Sequence, residues 1–316
     1  MFSTPSQTRA SGTAHVASGG ASAFVRNRGA LAGLALLSVF GLLALFAPLI
    51  QHHDPTTFHE YNLFEGPSQN FWLGTDKYGR DEFSRLVHGA RVSLAVGVFS
   101  QLIGVAIGVA VGMAAGLGGR RSDTALMRLT DVAYAFPDLL LLILLVSAFG
   151  SSVSMLTLAI GVVSWTTIAR LVRGQVLSLR EEPFVVAARA IGASDLQIAR
   201  RHVLPNIAGP VIVAATFGVP QAIFAEAALS FIGLGVPVPT PTWGRLVFDA
   251  KSALEVAPFL AVASCSAISL TMMSFMLVGD GLRDALDPRT ARRARRTVPD
   301  TVAITPREQP ALQKAA

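Results

Sequence analysis

Residue types that carry chemistry are thinly spread in this sequence. Three histidines and two acids fall together in Gln51-His52-His53-Asp54 and His59-Glu60. Imidazole and carboxylate are suitable metal ligands. Their spacing here matches no established metal-binding pattern, so a solvated loop is the expectation. Cys265 stands alone, which rules out a disulfide framework. It lies in an apolar, uncharged block and reads as an inert buried thiol. No G-x-x-x-x-G-K-[ST] loop, H-E-x-x-H or G-x-S-x-G occurs. The chain therefore has no phosphate loop for ATP, no zinc-protease helix and no nucleophile elbow. No catalytic, cofactor-binding or metal residue is expected, and the chain reads as a non-enzyme.

The informative stretch lies between residues 181 and 205. Glu181-Glu182-Pro183 is a helix start, with acids at the positive end of the dipole and proline in the first turn. Phe184, Ala187, Ala188 and Ile191 follow at spacings of three and four, a narrow apolar stripe. Gly192 ends that helix and calls for a positive φ. Ser194 with Gln197 predicts a capping box for a second helix. That helix carries Leu196, Ile198 and Ala199 and ends before Leu204-Pro205. Such a helix–turn–helix with a small-residue face suits a closely apposed protein partner. A helix lying on the lipid surface is the other reading, although a thin face built of alanines anchors weakly in lipid.

The elements that hold this stretch are membrane spans. Of the 316 residues, 52% are hydrophobic and 15% charged, against about 25% charged in a soluble domain. Residues 31–50, 92–119, 139–169, 206–225 and 256–279 carry no charge at all. Each is long enough to cross a bilayer core, which takes about 20 helical residues. The block 139–169 is too long for one span and is broken by Gly150-Ser151-Ser152. Six spans result, at about 31–50, 93–117, 130–149, 153–170, 207–230 and 258–280, with Asp138 in the first half of the third.

The basic residues set the orientation. Arg9, Arg26, Arg28, Arg120, Arg121, Arg128, Arg170, Arg173, Arg180, Arg189, Arg200 and Arg201 fall on one side, together with a tail from Arg283 to Lys314. The other side holds Lys77, Arg80, Arg85, Arg91, Arg245 and Lys251. Both termini and the 170–205 loop are therefore expected in the cytoplasm. The net charge of +6 is then a cytoplasmic flank and calls for no nucleic acid. The run 31–50 is longer than a signal-peptide core and has no small-x-small site after it, so it reads as a retained span. Residues 1–25, rich in Ser, Gly, Ala and Thr, are expected to be a disordered cytoplasmic tail. Residues 26–290 form the transmembrane domain, with its core at about 90–285, and 291–316 a basic cytoplasmic tail.

Inside the spans, Gly104, Gly108, Gly112 and Gly116 recur every four residues. One helix face is thereby opened to close backbone approach, within this chain or with a partner. Trp72, Trp165 and Trp243 fall near span ends or in external loops, where an amphipathic ring is at home. Asp138 and Glu226 are the main ionisable groups in the spans, and each reads as an interfacial cap or helix-end contact. A carrier driven by protons or sodium buries more such groups near the midplane. Their scarcity indicates that energy arrives from outside the membrane.

The stretch Ala187-Ala188-x-x-x-Gly192, running to Leu204-Pro205, resembles the "EAA" loop of bacterial ATP-binding-cassette (ABC) importer permeases. It departs from the motif at Val186, where Glu is common, and at His202, where Ile is common. Further stretches resemble the "C-type" permease of the dipeptide, oligopeptide and nickel importers. These are Arg26-Asn27-Arg28-Gly29-Ala30, Leu73-Gly74-Thr75-Asp76, Gly79-Arg80-Asp81 with Ser84-Arg85, and Leu126-Met127-Arg128 through Ala135-Phe136-Pro137. Glu226-Ala227-Ala228-Leu229-Ser230-Phe231 with Gly233-Leu234-Gly235 and Trp243-Gly244 belong to the same set. Gly279-Asp280-Gly281-Leu282-Arg283 and Asp287-Pro288-Arg289 complete it.

The resemblance covers about 26–290. It implies an all-α membrane protein of six transmembrane helices with both termini cytoplasmic, the type I ABC importer permease fold, in a bacterial cytoplasmic (inner) membrane. It implies a homologous second permease, two cytoplasmic ABC ATPase subunits and an extracytoplasmic solute-binding protein as partners. The translocation path then lies between the two permeases and carries peptides or another small solute. By the same resemblance, Phe184, Ala187, Ala188, Gly192, Ser194, Leu204 and Pro205 are the ATPase-coupling loop.

Overall fold

The computed structural model describes residues 24–286. The tails expected at 1–25 and 291–316, with Asp287-Pro288-Arg289, lie outside the described residues apart from Phe24 and Val25. The described residues are helical, with one isolated bridge between Thr75 and Asp81.

Helix α1 (Arg28–Leu45) is capped by the Asn27 side chain, which accepts from the Ala30 backbone N–H at 3.1 Å. It breaks at Phe46 and resumes as the short α2 (Ala47–Ile50). Residues 51–81 lead to α3 (Glu82–Leu117), capped by Asp81. Then come α4 (Arg120–Ala135), α5 (Asp138–Phe149), α6 (Val153–Leu179) and α7 (Pro183–Ala190). The one-turn α8 (Asp195–Ile198) passes through a π-helical turn, Ala199–Val203, into α9 (Leu204–Phe231). The short helix α10 (Trp243–Lys251) precedes α11 (Pro258–Leu286).

Five helices are long and apolar enough to cross a membrane, and α4 with α5 makes a sixth, bent candidate. Here the structure corrects the sequence reading. The third span is not a continuous helix over 130–149. It breaks at Phe136-Pro137, and its two halves meet at 84°. Proline excludes the α conformation from the residue before it, and Phe136 is extended at φ −80°, ψ 134°. Asp138 thus opens α5 rather than sitting inside a span. At 12 residues, α5 is about 18 Å long, short of a bilayer core of about 30 Å. The fourth span also continues past 170, to Leu179.

At its centre α3 lies on α6, flanked by α9 and α5. Val96, Leu142, Val146, Leu156, Ile160, Ala222 and Leu229 interlock there. Helix α1 lies on α11 at small residues, where a methyl group at Gly33 would stand 2.7 Å from the Ser274 carbonyl oxygen.

Candidate functional site

Three structures concentrate the groups singled out above. The first is the hairpin after α6. Arg180 closes α6, and Pro183 opens α7 at its first position. Gly192 turns the chain at φ +88°, a conformation that costs any other L-residue about 1–2 kcal/mol. Ser194 and Gln197 then form the reciprocal capping box: the Ser194 N–H donates to Gln197 Oε1 at 2.9 Å, and the Gln197 N–H donates to Ser194 Oγ at 3.3 Å. Beyond it the sequence reading needs correction. No separate second helix ends before Leu204. The backbone continues helically from Asp195 to Phe231, so the hairpin and the fifth span are one element.

The faces of α7 are also resolved. Val185 and Ala188 turn inward, while Phe184, Val186, Ala187 and Ile191 are exposed. Ile191 is 87% exposed, a large apolar side chain presented to the outside. Val185, Ile198, Val203 and Ile207 pack with Ile168, Val172 and Val176 of α6. The hairpin is therefore bolted to α6 through a buried apolar cluster and runs directly into α9. Between its arms is a cleft of about 260 Å³, lined by residues that include Ala188, Gly192, Gln197 and His202. Leu204 and Pro205 lie exposed at the start of α9.

The second structure is the α3–α6 seam. Gly104, Gly108, Gly112 and Gly116 are all buried and face α6 of the same chain. A methyl group at Gly108 would stand 2.6 Å from Ile168 Cβ, and one at Gly112 2.6 Å from the Ala169 carbonyl oxygen. Gly161 answers from α6, where a methyl group would stand 2.7 Å from Ile103 Cβ. Ile168, Val172 and Val176 thus touch the glycines on one side and the hairpin's core on the other.

The third structure, at the opposite end, was not legible in the sequence. Arg80 and Arg85 are 2% and 1% exposed. Arg80 Nε donates to Asp76 at 2.8 Å, and Arg80 Nη2 donates to Asp249 at 3.1 Å. Arg85 Nη2 donates to Asp249 at 2.9 Å, and Arg85 also pairs with Asp76. The first external segment, the start of α3 and α10 are thereby locked together.

Beside this network Glu226, at the outer part of α9, is fully buried. Ser230 and Thr242 each donate to its Oε1 at 2.8 Å, and Ser93 is 3.4 Å from Oε2. It is a buried hub joining α3, α9 and the start of α10 rather than an interfacial cap. Trp243 is likewise 1% exposed, with its indole N–H donating to the Leu86 carbonyl at 3.1 Å. It is a core residue and not part of an aromatic belt.

The external histidines stack with one another and with aromatic rings. His53 and His59 lie 5.3 Å apart, and His53 packs on Phe71 at 4.8 Å. No group of three His, Cys, Asp or Glu side chains among the described residues is placed to hold a metal ion. Nearby, the Thr56 hydroxyl and backbone N–H donate to Asp54, which holds its carboxyl below the usual carboxylate range. Cys265 is exposed on the surface of the chain, contrary to its expected burial.

Comparison with known proteins gives this architecture a context. Residues 108–292 match the family described as binding-protein-dependent transport system inner membrane component. Residues 21–67 match the N-terminal transmembrane domain of oligopeptide transport permease C. A glutathione transport system permease of Shigella flexneri serotype 5b is 44% identical over 84% of this chain and 88% of its own length. A dipeptide transport system permease of Alkalihalophilus pseudofirmus is 41% identical over 84% of this chain and 87% of its own. Among solved structures, an inward-facing methionine ABC transporter superposes with a TM-score of 0.53. That match has 19% identity and covers 64% of this chain and 97% of the other; it speaks to the fold alone.

Proposed function

This chain belongs to the family of binding-protein-dependent transport system inner membrane components, and on that premise we propose that it is one half of a peptide-importing channel. It is a permease subunit of the inner membrane, served by a separate ATPase and an external binding protein. In our reading a homologous second permease completes the path, two ATPase subunits drive it, and short peptides are the cargo. The names of the dipeptide and glutathione permeases support that cargo, since both solutes are short peptides.

The observation that carries the mechanism is the continuous body formed by α6, the hairpin and α9. The exposed Phe184, Ala187 and Ile191 offer a contact surface. Val185, Ile198 and Val203 tie that surface to α6, and the π-turn leads it into α9 without an intervening loop. A partner that displaces α7 therefore moves two spans at once. The chain itself transmits motion and lines the path; ATP is hydrolysed elsewhere.

The test is the complete importer in proteoliposomes, this chain together with its second permease, its ATPases and its binding protein. Labelled alanyl-alanine uptake should require ATP and the binding protein. ATPase activity stimulated by a binding protein loaded with a nickel chelate, with no dipeptide uptake, would overturn the cargo. Dipeptide uptake driven by a proton gradient without ATP would overturn the mechanism.

A further inference from the structure

A cavity of about 260 Å³ opens between α3, α5, α6 and α9. Its polar lining comes from Gln101 on α3, Asp138 on α5, Ser164, Thr166 and Thr167 on α6, and Gln221 on α9. Apart from Asp138, which opens α5, these residues fall well inside helices that are otherwise apolar, at the depth where the expected spans cross the bilayer. Lipid would make this the costliest place for polar groups.

Two of them belong to largely buried residues, and their polar atoms open onto the cavity without a hydrogen bond to the described residues. Gln101 is 5% exposed, and its carboxamide makes no hydrogen bond among the described residues. The amide lies over Gly218, where any side chain would overlap it. Thr166 is also 5% exposed, and its hydroxyl makes no hydrogen bond among the described residues. Both polar groups border the cavity, so the cavity is where each finds a partner. Polar cavities of this size hold water, whereas dry cavities are apolar. Asp138 is the sole charged group of the lining, and it forms no ion pair among the described residues. The remaining wall is apolar, including Leu142, Ile160 and Phe217.

We propose that this cavity is a wetted transit site on the translocation path, in which Asp138 attracts net positive charge on a passing peptide while Gln101, Thr166 and Gln221 bond its amides. This rests on the reading of the chain as a peptide permease. The volume lies just under the roughly 300 Å³ of ordinary ligand pockets, so it accommodates one end of a solute in motion. A single carboxylate with neutral donors and acceptors favours cationic and zwitterionic solutes over anionic ones.

The test uses the complete importer with Cys265 replaced by Ala. Single cysteines at Gln221, Thr167 and, as a lipid-facing control on α11, Leu270 are exposed to membrane-impermeant thiol reagents of either charge. Gln221→Cys and Thr167→Cys should react with the cationic reagent, and Leu270→Cys should not. The cationic reagent should outpace the anionic one by about fivefold, the size of one charge–charge interaction at a wet site. Asp138→Asn should erase that preference. If Gln221→Cys resists both reagents as Leu270→Cys does, the cavity is lipid-filled and the proposal falls.

The second arm compares uptake per ATP hydrolysed for lysyl-alanine and glutamyl-alanine in wild type and Asp138→Asn. The same binding protein serves both importers, so its affinities cancel. Asp138→Asn should lower lysyl-alanine uptake by about fivefold more than glutamyl-alanine uptake. An equal fall for both would make Asp138 only the acid that begins α5, and the assigned ligand chemistry would be wrong. If the reagents behave as expected while the wild-type importer moves neither peptide, the wetted site stands and the peptide cargo falls.

Discussion

Gly116 on α3 lies directly against Val176 on α6: a methyl group placed on Gly116 would stand 2.6 Å from both Cβ and Cγ1 of that valine. Val176 in turn packs in the cluster that holds Val185 of α7. A close contact of the glycine seam and the anchor of the hairpin therefore share a side chain.

That sharing predicts the effect of filling the seam. Gly108→Leu or Gly116→Leu should destabilise the subunit by about 1–3 kcal/mol or more through overpacking. Thermal unfolding in detergent and the yield of assembled complex both report it. The loss should appear as missing complex, with cargo preference unchanged. Full assembly and transport in Gly108→Leu would contradict the contact described.

The two alanines of α7 should part company. Ala187 is exposed, so Ala187→Asp should insert and assemble normally but place an unpaired charge under the ATPase. Burying such a charge costs several kcal/mol. ATPase activity stimulated by the binding protein, and uptake, should fall together by at least about tenfold. Ala188 faces the chain's own core, and Ala188→Asp should lower the hairpin's stability instead, read as protease cleavage near 190. Unchanged ATPase and uptake in Ala187→Asp would remove α7 as the transmitting surface.

Gly192→Val tests the turn alone. Its φ of +88° resists a β-branched side chain by about 1–2 kcal/mol. Coupling should weaken while insertion stays normal, and Gly192→Asn, which tolerates this region better, should retain more activity. Equal activity in all three proteins would show that the turn does not set the docking geometry.

In the external network, Arg85→Leu leaves Asp249 and Asp76 short of a buried counter-charge. Breaking one partner of such a pair costs about 3–5 kcal/mol. Proteolysis from the external side and the unfolding temperature should both register the loss. Removing Arg85 and Asp249 together leaves Arg80 paired with Asp76. The double variant should therefore recover more than half of the stability lost by Arg85→Leu, because the two sites are coupled. A purely additive double variant would mean that the charges act independently.

Orientation is open to reporter fusions. Fusions after Gly119, Gly150, Arg180 and Arg245 should report inside, outside, inside and outside in turn. A reporter after Arg180 found outside would place the hairpin away from any cytoplasmic ATPase.

Much of this architecture could be read from residue order alone. Uncharged blocks gave the spans, because charge is excluded from hydrocarbon whatever the fold. Gly192 and the Ser194–Gln197 box were legible because caps and turns are local chemistry. The break at Phe136-Pro137 carried a local signal too, the restriction that proline places on its predecessor, but the hydrophobic run across it hid the bend. The external network left no local trace. Arg85 and Asp249 are 164 positions apart, and only tertiary packing turns a loop arginine into a buried one. The inward turn of Ala188 was hidden for another reason: α7 is 8 residues long, and its apolar residues occupy every side. Neither Gln101 nor Gln221 stood out, because a glutamine in a span becomes informative only when its empty surroundings are seen.

The unbroken helical path from Asp195 to Phe231 has one more consequence. Its 37 residues extend about 55 Å, with the docking hairpin at one end and the Glu226 hub near the other. Pro210 and Pro220 lie inside it and the π-turn Ala199–Val203 interrupts its start, and these are the points at which such a helix bends. Tilting it by about 5° carries its far end about 5 Å. The hairpin and the Glu226 hub are therefore two ends of one helical path, and the bend at those points sets how much of a movement at one end reaches the other.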